Sequence, residues 1–181
     1  MQFDSNGNLI GGILNSNLKE VESQLVLNFP KSHTRKRNFQ SLKKLIEILK
    51  NEGLLEGISK IWLDGSFCTT KIDPNDIDIV ILTKPFQEQG DIIFKIGKLL
   101  RREFISLHLD LYFLPDFNVN EKHINSIINS NPQIDSLQEF YELIMQNNLE
   151  YQAKYWMGQF GFDRLGNSKA IISIEGGGLN D

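Results

Sequence analysis

The chain has 181 residues, 40% of them hydrophobic and 23% charged, with a formal net charge of −4. That length is enough for one domain with its own core, and the acidic balance argues against a protein that coats DNA or RNA. A lone cysteine, Cys68, excludes an internal disulfide and fits a reducing compartment. No basic segment runs into an apolar one at the start, and no apolar stretch approaches the ~20 residues of a membrane helix. The expectation is a cytoplasmic domain without membrane contact.

In chain order, Phe3-Asp4-Ser5-Asn6-Gly7-Asn8 is a turn signal, and Leu9, Ile10 and Ile13 follow as a short extended piece. Leu18, Val21 and Leu25 sit at helical spacing and predict a short helix over residues 18–27, ended by Pro30. Residues 31–37 are a basic run, read either as a solvated connector or as a phosphate or nucleic-acid contact. Arg35, Lys36 and Arg37 favour the second reading because they precede a helix start, where the dipole disfavours cations. Residues 38–51 form an amphipathic helix with Leu42, Leu45, Ile46 and Leu49 on one stripe, stopped by Gly53. A strand over 58–63, a loop over 66–75 containing Pro74, and a strand over 77–82 follow.

Residues 91–102 predict a helix with Ile92, Ile96, Leu99 and Leu100 inward and Lys95, Lys98, Arg101 and Arg102 outward. Residues 107–114 alternate with period two. Leu107, Leu109, Leu111 and Phe113 take one face, and His108, Asp110 and Tyr112 take the other. Helices are expected over 122–129 and 136–146, the second opened by a Ser136/Glu139 capping box. Tyr151, Tyr155, Trp156 and Phe160 recur at helical spacing over 149–160, either as core or as a wall on which a base stacks. A turn and a strand follow over 161–174. Within them Phe162-Asp163-x-x-Gly166-Asn167 echoes residues 3–8, as two similar tight turns would. Gly176-Gly177-Gly178 reads as a frayed tail.

The stretch from Ile61 to Leu82 carries the chemistry. Asp76 and Asp78 open a strand one residue apart, so both carboxylates point to one face while Ile77, Ile79 and Ile81 point to the other. Carboxylates about 4 Å apart repel by ~4 kcal/mol at an effective dielectric near 20. A hard divalent cation such as Mg²⁺, taking oxygen ligands and shared with substrate phosphates, removes that cost. Just upstream, Gly65 lets the backbone approach a ligand and Ser66 offers a hydroxyl and an amide, an anion site. Asp110 adds a third acid on a later strand, where aspartate is disfavoured by propensity. Its alternative reading is a solvent-facing residue on an exposed sheet face.

With Gly65-Ser66 at a strand end, Asp76-Ile77-Asp78 opening the next strand and Asp110 on a third, the chain resembles the nucleotidyltransferase-fold superfamily, the DNA polymerase β-like group. The match covers residues 58–114. The wider sequence, including Leu63–Phe67 (LDGSF), is similar to a small family of bacterial nucleotidyltransferase-like proteins. The resemblance implies an α/β (α+β) fold, a mixed sheet flanked by helices, in one domain over 1–181. A core over 38–114 would carry a helical and strand extension over 120–174. It further implies that Asp76, Asp78 and Asp110 hold Mg²⁺ or Mn²⁺ and are catalytic. Gly65, Ser66, Thr69 and Lys71 would bind a nucleoside triphosphate, and Asp110 would activate the attacking hydroxyl. The acceptor would be protein (as in toxin–antitoxin nucleotidyltransferases), a tRNA end or a small molecule. Many members carry an arginine after the Gly-Ser pair. Here Lys71 takes its place, as a point charge rather than a fork. A catalytically silent, antitoxin-like nucleotide-binding partner is the alternative. A glycosyltransferase also uses Asp-x-Asp with a metal but leaves Gly65-Ser66 and Asp110 unexplained.

Overall fold

The structure, a computed structural model, describes residues 1–85, 87–116, 129, 136, 139 and 149–179. Its framework is one mixed five-stranded sheet with helices packed on it, an α/β fold. The strands are β1 (Ile13–Ser16), β2 (Ile58–Asp64), β3 (Ile77–Thr83), β4 (Leu109–Pro115) and β5 (Ile171–Glu175), in the spatial order β1-β5-β2-β3-β4. β1 runs parallel to β5 and β3 parallel to β4, while β2 is antiparallel to both its neighbours. Parallel neighbours need a crossover, and α3 (Glu88–Ile105) supplies it between β3 and β4.

One sheet face is a continuous apolar core. Ile77, Ile79 and Ile81 are at most 1% exposed, and each such burial is worth ~1.5–3 kcal/mol. That exceeds the ~1 kcal/mol span of strand propensities, so β3 forms despite carrying aspartates. Onto this face pack α1 (Leu18–Glu22), which continues as a π-helical turn over Ser23–Leu27, and α2 (Arg35–Asn51) through Phe39, Leu42, Leu45 and Leu49. The stripe expected on α2 is the buried one. Gly53 ends the helix at φ 68°, with the Leu54 N–H on the Leu49 carbonyl and the Gly53 N–H on that of Lys50, the paired bonds of a Schellman cap.

α3 is rotated from the expected phase. Ile93, Gly97, Leu100 and Phe104 face the core, while Leu99 is 57% exposed and Ile92 37%. The cause is Gly97: a β-carbon there would come 2.8 Å from the Phe113 ring, so the helix seats its glycine, not its bulkier residues, against β4. β4 also starts two residues later than expected, because His108 takes φ 66° and the regular strand begins only after it.

The other face is mixed. Trp62, Val80, Leu82, Leu114 and Ile171 are buried there beneath Phe160 of α4 (Leu149–Phe160), with Tyr112 and Trp156 packed against them. The aromatic stripe therefore serves partly as core. The glycine tail expected to fray forms a 3-10 turn over Gly176–Leu179, held by Leu179, which is 3% exposed. The helices expected over 122–129 and 136–146 lie outside the described residues, apart from 129, 136 and 139. Of the capping box, the Glu139 N–H donates to Ser136 Oγ at 3.1 Å.

Residues 3–9 and 162–168 form the same turn twice. Asp4 Oδ1 accepts the N–H groups of Asn6 and Asn8, Asp163 Oδ1 accepts those of Leu165 and Asn167, and Gly7 and Gly166 follow at φ 80° and 81°. Each turn leads into one strand of the parallel β1–β5 pair, and Asn8 Nδ2 donates to Asp163 Oδ2 at 2.8 Å, tying one turn to the other.

Candidate functional site: an acidic cleft at the end of the sheet

Register builds the site. Asp64 pairs with Asp78 across β2–β3, and Asp78 pairs with Asp110 across β3–β4. Three adjacent strands thus carry an aspartate in one row on the mixed face. The next row inward is Trp62, Val80 and Tyr112, so the acids border an apolar layer that limits their hydration. Burial, with Asp76 and Asp110 nearby, pushes the Asp78 carboxyl up to about 6. Burial likewise pushes Asp64 up to about 7, against the pull of Lys169.

A cleft of about 680 Å³ opens over this row. All seven residues picked from the sequence line it: Asp76, Asp78, Asp110, Gly65, Ser66, Thr69 and Lys71. Their roles within it differ. Gly65 sits at φ 75°, and a β-carbon there would overlap the Asp78 carboxylate, so glycine is required both for the backbone and for the approach. Ser66 lies in the single 3-10 turn Gly65–Cys68 that follows β2. Thr69 turns its hydroxyl inward to the Ser66 carbonyl at 2.9 Å and accepts the Lys71 N–H, so it shapes the loop rather than presenting a donor to the cleft. Lys71 is exposed. Asp110 is held: Tyr112 Oη donates to its Oδ2 at 2.7 Å, and Arg101 lies 3.2 Å from its Oδ1 while stacking on the Tyr112 ring. Burial and the neighbouring Asp110 push the Tyr112 hydroxyl up to about 12.

Several residues of the site are not legible as such in the sequence. Asp64, 3% exposed, closes the acid row and pairs with Lys169 at 2.9 Å, both buried. Its period-two relation to Trp62 gives its face, but only pairing with Asp78 gives its role. Lys169 and Arg164 carry no sequence signal, since they reach the cleft from the loop before β5. Asp163 also lines the cleft, yet its carboxylate accepts four hydrogen bonds, from the backbone of Leu165 and Asn167 and the side chains of Asn8 and Asn167. Those bonds hold it well below the usual carboxylate range, as an anion committed to its turn. The basic run divides. Lys36 and Arg37 are exposed, but Arg35 is wholly buried, donating to the carbonyls of Leu25, Phe67, Thr69 and Lys71. Neither reading of the run anticipates this. Arg35 is a core clamp that holds the 67–71 loop from behind.

Trp156 and Tyr112 face each other with ring centroids 4.1 Å apart, and Trp156 and Phe160 line the cleft beside the acids.

The donor set suits a hard divalent cation, being oxygen only, and Asp64 Oδ1 is buried without a hydrogen-bond partner. The present positions of the carboxylates are a poorer match: among the described residues no three His, Cys, Asp or Glu side chains are grouped to hold a metal ion. Asp110 would have to turn away from Arg101 and Tyr112 to join Asp76 and Asp78.

Fold and cleft together define an α/β protein with a carboxylate row and an aromatic wall at one end of a mixed sheet. Over residues 1–175 the chain matches a family of unknown function, DUF6932, and it belongs to that family. No curated protein and no solved structure matches it. Among the described residues no helix is long and apolar enough to cross a membrane.

Proposed function

We propose that the cleft is the active site of a metal-dependent nucleotidyltransferase, moving a nucleoside monophosphate from a triphosphate to an acceptor hydroxyl on protein, RNA or a small molecule. The observation that carries the reading is the register of Asp78 with Asp110 on adjacent strands, one residue on from Asp76-Ile77, with Gly65 packed against the Asp78 carboxylate. Asp76, Asp78 and Asp110 would hold Mg²⁺ or Mn²⁺. When bound, such ions neutralise charge on the attacking and leaving oxygens of an in-line displacement. The chain's own part is positional. The Gly65–Ser66 turn offers a backbone amide and a hydroxyl to phosphate oxygens, and the Trp156 ring, half-buried at the cleft wall, offers an aromatic surface to a base. The apolar row behind the acids limits their hydration from beneath.

A second reading, a nucleotide-binding partner without turnover, is favoured by one observation: Asp110 is occupied by Arg101 and Tyr112. The experiment that separates them supplies each labelled nucleoside triphosphate with Mg²⁺ or Mn²⁺ and host lysate. Label transferred to protein, RNA or small molecules supports the enzyme, with at least ~10²-fold loss, about 3 kcal/mol of transition-state stabilisation, in Asp78→Asn or Asp110→Asn. Metal-dependent binding without turnover in the native chain favours the silent partner.

A further inference from the structure

The chain contains the same turn twice, and the two copies differ at their tips. In both, an aspartate caps the turn, a glycine takes a left-handed φ and an asparagine follows it. Those three residues satisfy the backbone, and the two positions between aspartate and glycine are left free. In the first turn they are Ser5 and Asn6; in the second they are Arg164 and Leu165. Only the second turn places its first tip residue at the cleft.

From this we infer that Arg164 is an anion-recognition residue of the cleft, contacting the phosphate oxygens of the ligand together with Lys71. Among the described residues three cations line the cleft: Lys71, Arg164 and Lys169. Lys169 is spent on Asp64 at 2.9 Å. Arg164 is exposed, and among the described residues its guanidinium has no close ion pair or hydrogen bond, only a longer-range attraction to Asp78. A polyanion entering over a row of aspartates meets repulsion unless cations or metal ions offset it, and a guanidinium matches phosphate oxygens bidentately.

The spacing between Arg164 and Lys71 is also built. Asn8, 4% exposed, bridges through its backbone to Thr69 and donates through Nδ2 to Asp163. The Thr70 N–H meanwhile donates to the Gly7 carbonyl at 2.8 Å. The first turn thus lies between the two cation-bearing loops, bonded to each. That accounts for the doubled motif: one copy carries the arginine and the other fixes its distance from the 65–71 loop.

The anion's identity as the polyphosphate of a nucleotide rests on the proposed function; the anion contact itself does not. The duplicate turn also supplies a test. Arg164→Ser with Leu165→Asn gives the second turn the tip of the first, keeping Asp163, Gly166 and Asn167. Calorimetry with inorganic pyrophosphate and Mg²⁺ on the full chain is the measurement, with Arg164→Gln as a second variant and melting temperature as the folding control. The expected result is a Kd weakened at least about tenfold, ~1.4 kcal/mol, in both variants at unchanged melting temperature. Equal affinity in the native chain and the variants overturns the inference, and so does a native chain that binds no pyrophosphate. If pyrophosphate binding weakens as expected while no triphosphate is ever turned over, Arg164 keeps its role and nucleotidyl transfer is what falls.

Discussion

Arg35→Met strips the cleft of its rear support. The guanidinium is wholly buried and donates to four carbonyls, of Leu25, Phe67, Thr69 and Lys71, at 2.6–2.9 Å. It also lies 3.8 Å over the Phe29 ring. Methionine fills much of the volume but donates nothing. The bonds to Leu25 and Phe67 are in fully buried surroundings, and a buried acceptor left without a partner costs ~1–3 kcal/mol. With the two outer carbonyls partly rehydrated, the loss comes to about 3–5 kcal/mol, the range for stripping one member from a buried charged network. A domain's whole stability is ~5–15 kcal/mol, so the variant should be folded but marginal. Urea unfolding measures this as a lower midpoint at unchanged slope, and amide exchange of residues 66–71 should quicken before that of Ile79. Arg35→Lys should fall between, since an ammonium cannot span four carbonyls. Lys36→Ala, on an exposed neighbour, should stay within ~0.5 kcal/mol. A loss under ~1 kcal/mol in Arg35→Met, with loop exchange unchanged, would show that the arginine is not what holds the loop.

Gly65→Ala should cost ~1–2 kcal/mol for the left-handed backbone alone, and more because its β-carbon displaces the Asp78 carboxylate. An unchanged thermal midpoint, or an unchanged shift of that midpoint with Mg²⁺, would refute the close packing at that contact. The acid row should make the protein more stable in mild acid than in base. Folded-state values of about 6 for Asp78 and about 7 for Asp64 lie above the ordinary 3.8, so the native chain binds protons that the unfolded chain has released. The stabilisation is complete below about pH 4 and is lost as pH rises through 6 and 7. Asp78→Asn should flatten that decline by ~1–2 kcal/mol between pH 5 and 8. Native stability that climbs over the same range, with no difference in the variant, would contradict the burial of these carboxyls.

The local features of this chain are legible because each is set by neighbours in sequence. Period-two alternation puts Asp76 and Asp78 on one face and the isoleucines between them on the other. A glycine after an amphipathic run ends α2 with a Schellman cap, and Asp-x-x-Gly-Asn makes the same turn at residues 4–8 and 163–167. The α/β class and the seven cleft residues named from the sequence come through the resemblance that the Gly-Ser and Asp-x-Asp motifs carry. What sequence patterns omit depends on partners distant in sequence. Asp64 joins the row only through strand register, and Lys169 becomes its counter-ion only because β5 lies beside β2. Arg35 looks like one cation in a solvated run until three loop carbonyls and one from the π-turn converge on it. The phase of α3 follows the same logic, since helical periodicity permits Ile92 and Leu99 inward as readily as Ile93 and Leu100. Contact between Gly97 and Phe113 decides between them. Sequence by itself determined which residues share a strand face or a turn; only tertiary packing decided which faces meet, because burial and pairing energies belong to pairs that the chain brings together by folding.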